Sequence, residues 1–172
     1  MVARRLIGLF VVAVMALAGC GGTDGSTAGS VESPSSTPTG SPLEFTATTV
    51  DGKPFDGRSL TGKPAVLWFW APWCPTCLQQ APGVREAFEQ YGDRVAIVGV
   101  ASLDKATAMP EFIDLAKIES ITNLSDEPGD VWKRFGVTAQ SIFVLIDETG
   151  TVTFRGRLAS DEVADRVGEL LS

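Results

Sequence analysis

Residues 67–80 read L-W-F-W-A-P-W-C-P-T-C-L-Q-Q, an apolar run that leads directly into two cysteines. The continuous apolar segment Ala65–Trp70 is typical of a central β-strand that is buried on both faces. Residues 75–90 then show the apolar spacing of a helix. The stretch therefore predicts a strand–loop–helix unit in which Cys74 lies just before the helix and Cys77 lies in its first turn.

Strands and helices alternate on both sides of this unit. Further strands are predicted at 43–50, 95–101, 142–146 and 151–157, and further helices at 104–118 (with Pro110 as a break), 129–135 and 160–171 (capped by Ser160). This order predicts an α/β fold with a central mixed β-sheet flanked by helices on both faces. The last two strands would form a hairpin, and residues 43–50 would add an extra N-terminal strand segment.

The spacing of the two cysteines suits thiol chemistry. Unpaired backbone N–H groups and the helix dipole stabilise a thiolate at a helix N-terminus, which is where Cys74 is expected. Pro75 fits the first turn because its missing N–H would have had no partner there. Cys77 follows within reach of Cys74 around that turn. One exposed nucleophilic sulfur, that of Cys74, and one shielded, resolving sulfur, that of Cys77, make a dithiol that can exchange disulfides.

Two other interpretations of Cys74 and Cys77 stay open, a zinc clip and a structural disulfide. Tetrahedral zinc needs four ligands, whereas the chain has three cysteines and no histidine. A disulfide across so few residues closes a very small loop and would stabilise the fold little. A reactive pair is therefore the favoured interpretation, and no metal site is predicted.

Composition excludes several classes of protein. Without histidine the chain cannot build a Ser-His-Asp triad, a Cys-His protease dyad or a histidine-based metal site. A net charge of −7 argues against nucleic-acid binding, which would show a basic footprint.

Asp126 and Glu127, which precede a proline, have the pattern of turn and cap residues rather than of a catalytic acid pair. Trp68, Trp70 and Trp132 are predicted to pack in the core.

The N-terminus has the features of an export signal. Residues 1–19 hold a short basic head and an apolar run, which is typical of a signal peptide. Residues 17–20, L-A-G-C, resemble the lipobox of bacterial lipoproteins, in which the cysteine is lipidated, so Cys20 is the expected lipid anchor. Residues 20–42 would be a flexible linker rich in Gly, Ser, Thr and Pro. The alternatives, an uncleaved anchor or a plain secretory signal, also place residues 43–172 outside the cytoplasm.

Residues 62–77, G-K-P-A-V-L-W-F-W-A-P-W-C-P-T-C, resemble the active-site strand and loop of thioredoxin-like proteins. Pro82 matches the proline that kinks the active-site helix of that family. Residues 135–147, F-G-V-T-A-Q-S-I-F-V-L-I-D, resemble its later loop and hairpin. The resemblance spans about residues 43–172 and is nearest to the tethered extracytoplasmic branch of TlpA, ResA and DsbE type, including actinobacterial lipoproteins of DsbF type. It implies a thioredoxin fold and a thiol–disulfide oxidoreductase.

The resemblance also implies roles for individual residues. Cys74 would attack and form the mixed disulfide, and Cys77 would resolve it without any cofactor or metal. The substrate-binding residues would be Trp73, Pro75, Thr76, Gln140 and Ser141. The partners would be protein thiols and disulfides, together with a membrane redox partner that recycles the pair.

Two departures from the family concern the handling of protons. Thioredoxins carry a buried aspartate at the position of Trp68, and the tethered branch often carries a glutamate at the position of Gln80. Without these acids, water or a backbone group must manage the proton of the inner thiol. The missing negative charge would also favour the thiolate of Cys74 and thus a more oxidising couple.

A third departure lies at Ser141, where the family places a cis-proline. A cis bond before serine would cost about 3–4 kcal/mol, against about 0.5–1 kcal/mol before proline. We therefore expect a trans Gln140–Ser141 bond and a reshaped loop.

These observations predict a lipid-anchored, extracytoplasmic thiol–disulfide oxidoreductase that acts as an oxidant, because its compartment is itself oxidising. One alternative is a thiol reductant, as in cytochrome c maturation. An alternative of another class is a non-catalytic binding lipoprotein or a copper carrier, since soft thiolates hold Cu(I).

Overall fold

Strand β3 (Ala65–Trp70) lies in the interior of the sheet, with a strand on either side, and all six of its residues are buried, as its apolar sequence predicts. The computed structural model describes residues 40–172. Because side chains alternate along a strand, Trp68 and Trp70 pack into the core on one face, while Leu67 and Phe69 pack into the core on the other. Both faces of the sheet must therefore be covered by other elements.

The sheet has seven strands in the order β2-β1-β5-β4-β3-β6-β7. The other strands are β1 (Thr46–Thr49), β2 (Pro54–Asp56), β4 (Ala96–Ala101), β5 (Thr122–Ser125), β6 (Ile142–Ile146) and β7 (Val152–Gly156). Strands β3, β4 and β5 are parallel, whereas the remaining pairs are antiparallel. The predicted mixed sheet, the C-terminal hairpin and the extra N-terminal strand are confirmed. The carboxyl ends of the three parallel strands meet at one edge, where Cys74 follows β3.

The helices are α1 (Pro75–Tyr91), α2 (Met109–Ala116), α3 (Asp130–Arg134) and α4 (Ser160–Gly168), with short 3-10 segments at Gly57–Leu60, Ala106–Ala108 and Glu169–Leu171. Helices α1, α2 and α4 cover the face that holds Trp68 and Trp70. Helix α3 and the N-terminal segment cover the opposite face. Within residues 40–172, no helix combines the length and the apolar character that crossing a membrane requires.

Three local expectations were wrong. Strands β2 and β5 were not predicted, because they are short and partly polar and are specified by their neighbours in the sheet. Helix α2 begins only at Met109, so Pro110 lies in its first turn. Backbone N–H groups have no helical partner in the first turn, so the N–H that proline lacks costs no hydrogen bond there. Ser160 does not cap α4, which is preceded by Ala159 instead.

The hydroxyl of Ser160 joins α4 to the active-site helix. Pro82 lies inside α1, and the next residue, Gly83, donates its N–H to Ser160 Oγ at 2.9 Å. A Cβ at Gly83 would collide with the backbone carbonyl of Ser160, so glycine permits the close approach of the two helices. This contact positions α1, and with it the cysteine pair, against the rest of the domain.

Candidate active site

The two cysteines lie at the N-terminus of α1, as predicted. The expected exposure of Cys74 was wrong: the residue is 2% exposed, because Ser141 packs against its sulfur. Cys74 is the cap residue of the helix, and it is joined to Cys77 by a disulfide. The N–H of Cys77 donates to Cys74 Sγ at 3.0 Å. Pro75 is the first helical residue, a position at which its missing N–H would have had no partner within the helix. The positive end of the helix therefore faces Cys74, where it would stabilise a thiolate in the reduced protein.

Ser141 lies directly over the disulfide. Its Oγ is 3.2 Å from Cys74 Sγ and 3.3 Å from Cys77 Sγ, and the residue is 1% exposed. Ser141 has a left-handed backbone conformation, with φ of 67°, and its N–H donates to the carbonyl of Phe69 at 2.8 Å. No peptide bond within residues 40–172 is cis, so the predicted trans Gln140–Ser141 bond is confirmed. The left-handed conformation of Ser141 thus accompanies the contact of this loop with the two cysteines.

The positions expected to hold acids are occupied by a neutral, hydrogen-bonded pair. The indole N–H of Trp68 donates to Gln80 Oε1 at 3.1 Å. The amide of Gln80 in turn donates to the carbonyls of Leu158 at 2.8 Å and of Ser141 at 3.3 Å. Both Trp68 and Gln80 are buried. Gln80 therefore links the active-site helix to the serine loop and places no charge beside the cysteines.

Sequence reasoning singled out Trp68 and Gln80 as separate departures and missed the bond between them. The one signal available was that both residues stand where an acid is expected. A loss of two buried carboxylates removes two groups that need partners, and an indole with an amide can then satisfy each other.

The exposed rim of the site carries the other predicted contact residues. Trp73 is 53% exposed and donates its indole N–H to the carbonyl of Leu103 at 3.2 Å. Pro75 and Thr76 are exposed, and Gln140 is half-buried beside Ser141. Leu103, 48% exposed, was not predicted; it follows β4 at the same edge of the sheet. An apolar surface thus lies beside the cysteine pair.

The nearby acids have structural roles, as the sequence indicated. The buried carboxylate of Asp126 accepts the N–H groups of Asp130 and Trp132, each at 2.9 Å. Burial raises the pKa of the Asp126 carboxyl, although these hydrogen bonds oppose the rise. Glu127 accepts the N–H of Ala106 at 3.0 Å. In the part of the chain that the structure describes, no carboxyl group hydrogen-bonds to either sulfur, and no cluster of three or more metal-ligating side chains is present.

A family model described as Redoxin matches residues 32–170. The soluble secreted antigen MPT53 of Mycobacterium tuberculosis is 42% identical over 134 residues, which cover 76% of this chain and 76% of MPT53. The thiol-disulfide oxidoreductase ResA of Bacillus thuringiensis is 27% identical over 109 residues, which cover 63% of this chain and 62% of ResA.

A solved structure of the M. tuberculosis protein DsbF, in mixed oxidised and reduced forms, superposes with a TM-score of 0.72 at 47% identity. The match covers 76% of this chain and 98% of DsbF. The expected thioredoxin fold and the kinship with proteins of DsbE, DsbF and ResA type are thereby confirmed.

Proposed function

This chain belongs to the redoxin family as a thiol–disulfide oxidoreductase of DsbE, DsbF or ResA type, and from that premise we propose that it is a membrane-anchored oxidant of secreted or envelope proteins. A client thiolate would attack Cys74 Sγ and release Cys77 as a thiolate. A second client thiolate would then attack the client sulfur of the mixed disulfide and release Cys74. The client leaves with a disulfide, the protein keeps two electrons as a dithiol, and a membrane redox partner would reoxidise it.

The assignment of Cys74 as the attacked sulfur is supported by its place in the fold. Cys74 is 2% exposed and Cys77 is 0% exposed, so both sulfurs are buried in the disulfide form. Cys74 precedes the helix, beside the exposed residues Trp73, Pro75 and Thr76, whereas Cys77 lies inside α1. A client that docks on the rim would therefore meet Cys74 before Cys77. Cys77 is therefore suited to resolve a mixed disulfide.

The observation that supports an oxidant over a reductant is that the groups around Cys74 and Cys77 are uncharged. Backbone N–H groups, the helix N-terminus and the hydroxyl of Ser141 all favour a thiolate. Gln80 replaces the carboxylate that would oppose one by like-charge repulsion. A stabilised thiolate stabilises the reduced protein, and a couple whose reduced form is stable is a stronger oxidant.

The reduction potential of the Cys74–Cys77 couple tests the direction. Equilibration with glutathione buffers should give a value of about −120 to −180 mV, as for known oxidants, and oxidation of a reduced, unfolded secreted protein should be rapid. A value near −270 mV or lower would instead support a reductant. Exchange in neither direction would leave a binding lipoprotein as the remaining interpretation.

Trp73 should contribute to client binding and not to the chemistry. Trp73→Ala should lower kcat/KM for an unfolded protein client roughly tenfold, because about 1.4 kcal/mol of apolar contact is lost. The rate at which the Trp73→Ala variant exchanges with glutathione should change little, because so small a thiol does not need to contact the rim.

The matched control for Trp73 is Leu115→Ala. Leu115 is 64% exposed and lies near the end of α2. Helix α2 leads from the carboxyl end of β4 to the start of β5, so its last residues lie at the opposite edge of the sheet. Leu115→Ala should leave both rates unchanged. An equal loss with protein and with glutathione in Trp73→Ala would show that Trp73 acts on the cysteines themselves.

The membrane anchor is proposed from the sequence of residues 17–20, because the signal peptide, Cys20 and the linker up to residue 39 lie outside the described residues. Lipidation of Cys20 would hold the domain at the outer face of the membrane through several acyl chains. Cys20→Ser should move the protein from the membrane fraction to the medium while its thiol exchange persists. Retention of Cys20→Ser in the membrane would favour an uncleaved N-terminal helix.

A further inference from the structure

The hydroxyl of Ser141 has an unusual set of partners. Within residues 40–172, the hydrogen-bond contacts of Ser141 Oγ are the two sulfurs of Cys74 and Cys77, at 3.2 and 3.3 Å. The carbonyl oxygen of Ser141 and its N–H are engaged elsewhere, with Gln80 and Phe69. Both main-chain groups are thus held in place, and the hydroxyl contacts the two cysteine sulfurs.

We propose that Ser141 is a catalytic hydrogen-bond donor that stabilises each cysteine thiolate in turn. This inference rests on the proposed thiol–disulfide exchange but applies to either direction of electron flow. A sulfur of a disulfide is a weak acceptor, whereas a thiolate is a strong one. The hydroxyl can rotate between two acceptors at nearly equal distance, so it can follow the negative charge as the reaction proceeds.

In the first exchange step, a client thiolate forms a bond to Cys74 Sγ, the Cys74–Cys77 bond breaks, and Cys77 leaves with the electron pair. Ser141 then donates to Cys77 Sγ and keeps its own proton. In the second step, the bond between Cys74 and the client sulfur breaks, and Cys74 leaves as a thiolate. The hydroxyl turns to Cys74 Sγ, and protons that neutralise either sulfur come from water.

Cys77 depends on this donor more than Cys74 does. Cys74 Sγ also accepts the N–H of Cys77 and lies at the helix N-terminus. Among the described residues, Ser141 is the one hydrogen-bond partner of Cys77 Sγ. The family's acids would act on this inner sulfur. In this site, which lacks those acids, the neutral hydroxyl of Ser141 would stabilise the thiolate of Cys77.

Two substitutions separate the hydroxyl from the backbone. Ser141→Ala and Ser141→Gly both remove the donor, but glycine adopts the left-handed conformation of this position readily and alanine does not. The two variants should therefore differ in thermal stability, with Ser141→Gly the more stable. Their chemistry should nevertheless change in the same way, because both lack the hydroxyl.

The measurement is the rate of alkylation of Cys74 by iodoacetamide in the reduced full-length protein across pH, with the modified residue identified by mass spectrometry. In both variants the pKa of Cys74 should rise by about one unit, the effect of losing a hydrogen bond to a charged group. The exchange equilibrium should shift up to about tenfold, which lowers the reduction potential by about 30 mV. Ser102→Ala, which removes another buried serine hydroxyl, should match the unchanged protein.

An unchanged Cys74 pKa in Ser141→Gly would overturn the proposal, and so would a shift confined to Ser141→Ala, because that would trace the effect to the backbone. Alkylation needs no client protein. The result therefore stands apart from the oxidant assignment, which the potential of the unchanged protein decides.

Discussion

Replacing Cys77 with serine should trap the protein on its clients, and replacing Cys74 with serine should abolish exchange altogether. Cys74 lies at the helix N-terminus beside the exposed residues of the rim, whereas Cys77 lies one turn further inside α1. Without Cys77, the free Cys74 thiolate can still attack a client disulfide and displace one client sulfur as a thiolate, and the mixed disulfide that results has no internal thiol to resolve it and accumulates. Without Cys74, the sulfur that exchanges with clients is lost, and turnover should fall on the order of 10³-fold or more.

Trapped species would be seen as bands that disappear on reduction, and mass spectrometry of the linked peptides would identify the cysteine. The control is the double variant Cys74→Ser with Cys77→Ser, which retains Cys20 as its one cysteine. Complexes formed by the double variant would come from Cys20 and must be subtracted. Client complexes through Cys77 in Cys74→Ser would reverse the roles assigned to the two sulfurs.

The sequence predicts the apolar strands of this fold better than the short, polar ones. Strand β3 is evident because six consecutive apolar residues leave few other structures for Ala65–Trp70. Strand β5 has the sequence T-N-L-S and no apolar signal. It forms because β4 and β1 supply hydrogen bonds on both sides, and because the buried side chain of Asn123 accepts the indole N–H of Trp70 at 3.1 Å. Such pairings are tertiary and cannot be read from a local pattern.

The site divides in the same way. The place of Cys74, the exposure of Trp73 and the trans bond before Ser141 follow from local rules about helix ends, amphipathic side chains and the energy of cis peptides. The contact of Ser141 Oγ with both sulfurs depends on a single backbone angle, the φ of 67°. The Trp68–Gln80 bond depends on how α1 packs on β3. Neither can be deduced before the chain is folded.

Gln80→Glu restores an acid at the position where the tethered branch often has one, yet here it should strongly destabilise the protein. Gln80 donates to two buried carbonyls, those of Ser141 and Leu158. An ionised carboxylate can only accept, so it would leave both carbonyls without a donor and repel them. Each unsatisfied buried group costs about 1–3 kcal/mol, so the free energy of unfolding should fall by roughly 2–6 kcal/mol at pH 7.

The loss should depend on pH in a defined direction. Burial would raise the pKa of the new carboxyl in the folded state above its unfolded value of about 4.3. The part of the destabilisation that comes from ionisation is therefore complete above the folded-state pKa and is lost as the pH falls toward the unfolded value. Denaturant titrations should show Gln80→Glu regaining stability relative to the unchanged protein between pH 7 and about pH 4. Recovery should be partial, because a protonated carboxyl has one donor for two carbonyls.

The neighbouring residue supplies a matched control. Gln79 lies on the same helix but is exposed, so Gln79→Glu makes the same chemical change in water. It should leave stability nearly unchanged, with a small gain from a negative charge near the helix N-terminus. If Gln80→Glu were as stable as Gln79→Glu at pH 7, the amide of Gln80 would not be needed to hold the serine loop. The neutral pair would then be a passive replacement for the acids, and Ser141 would owe its position over the cysteines to its own backbone alone.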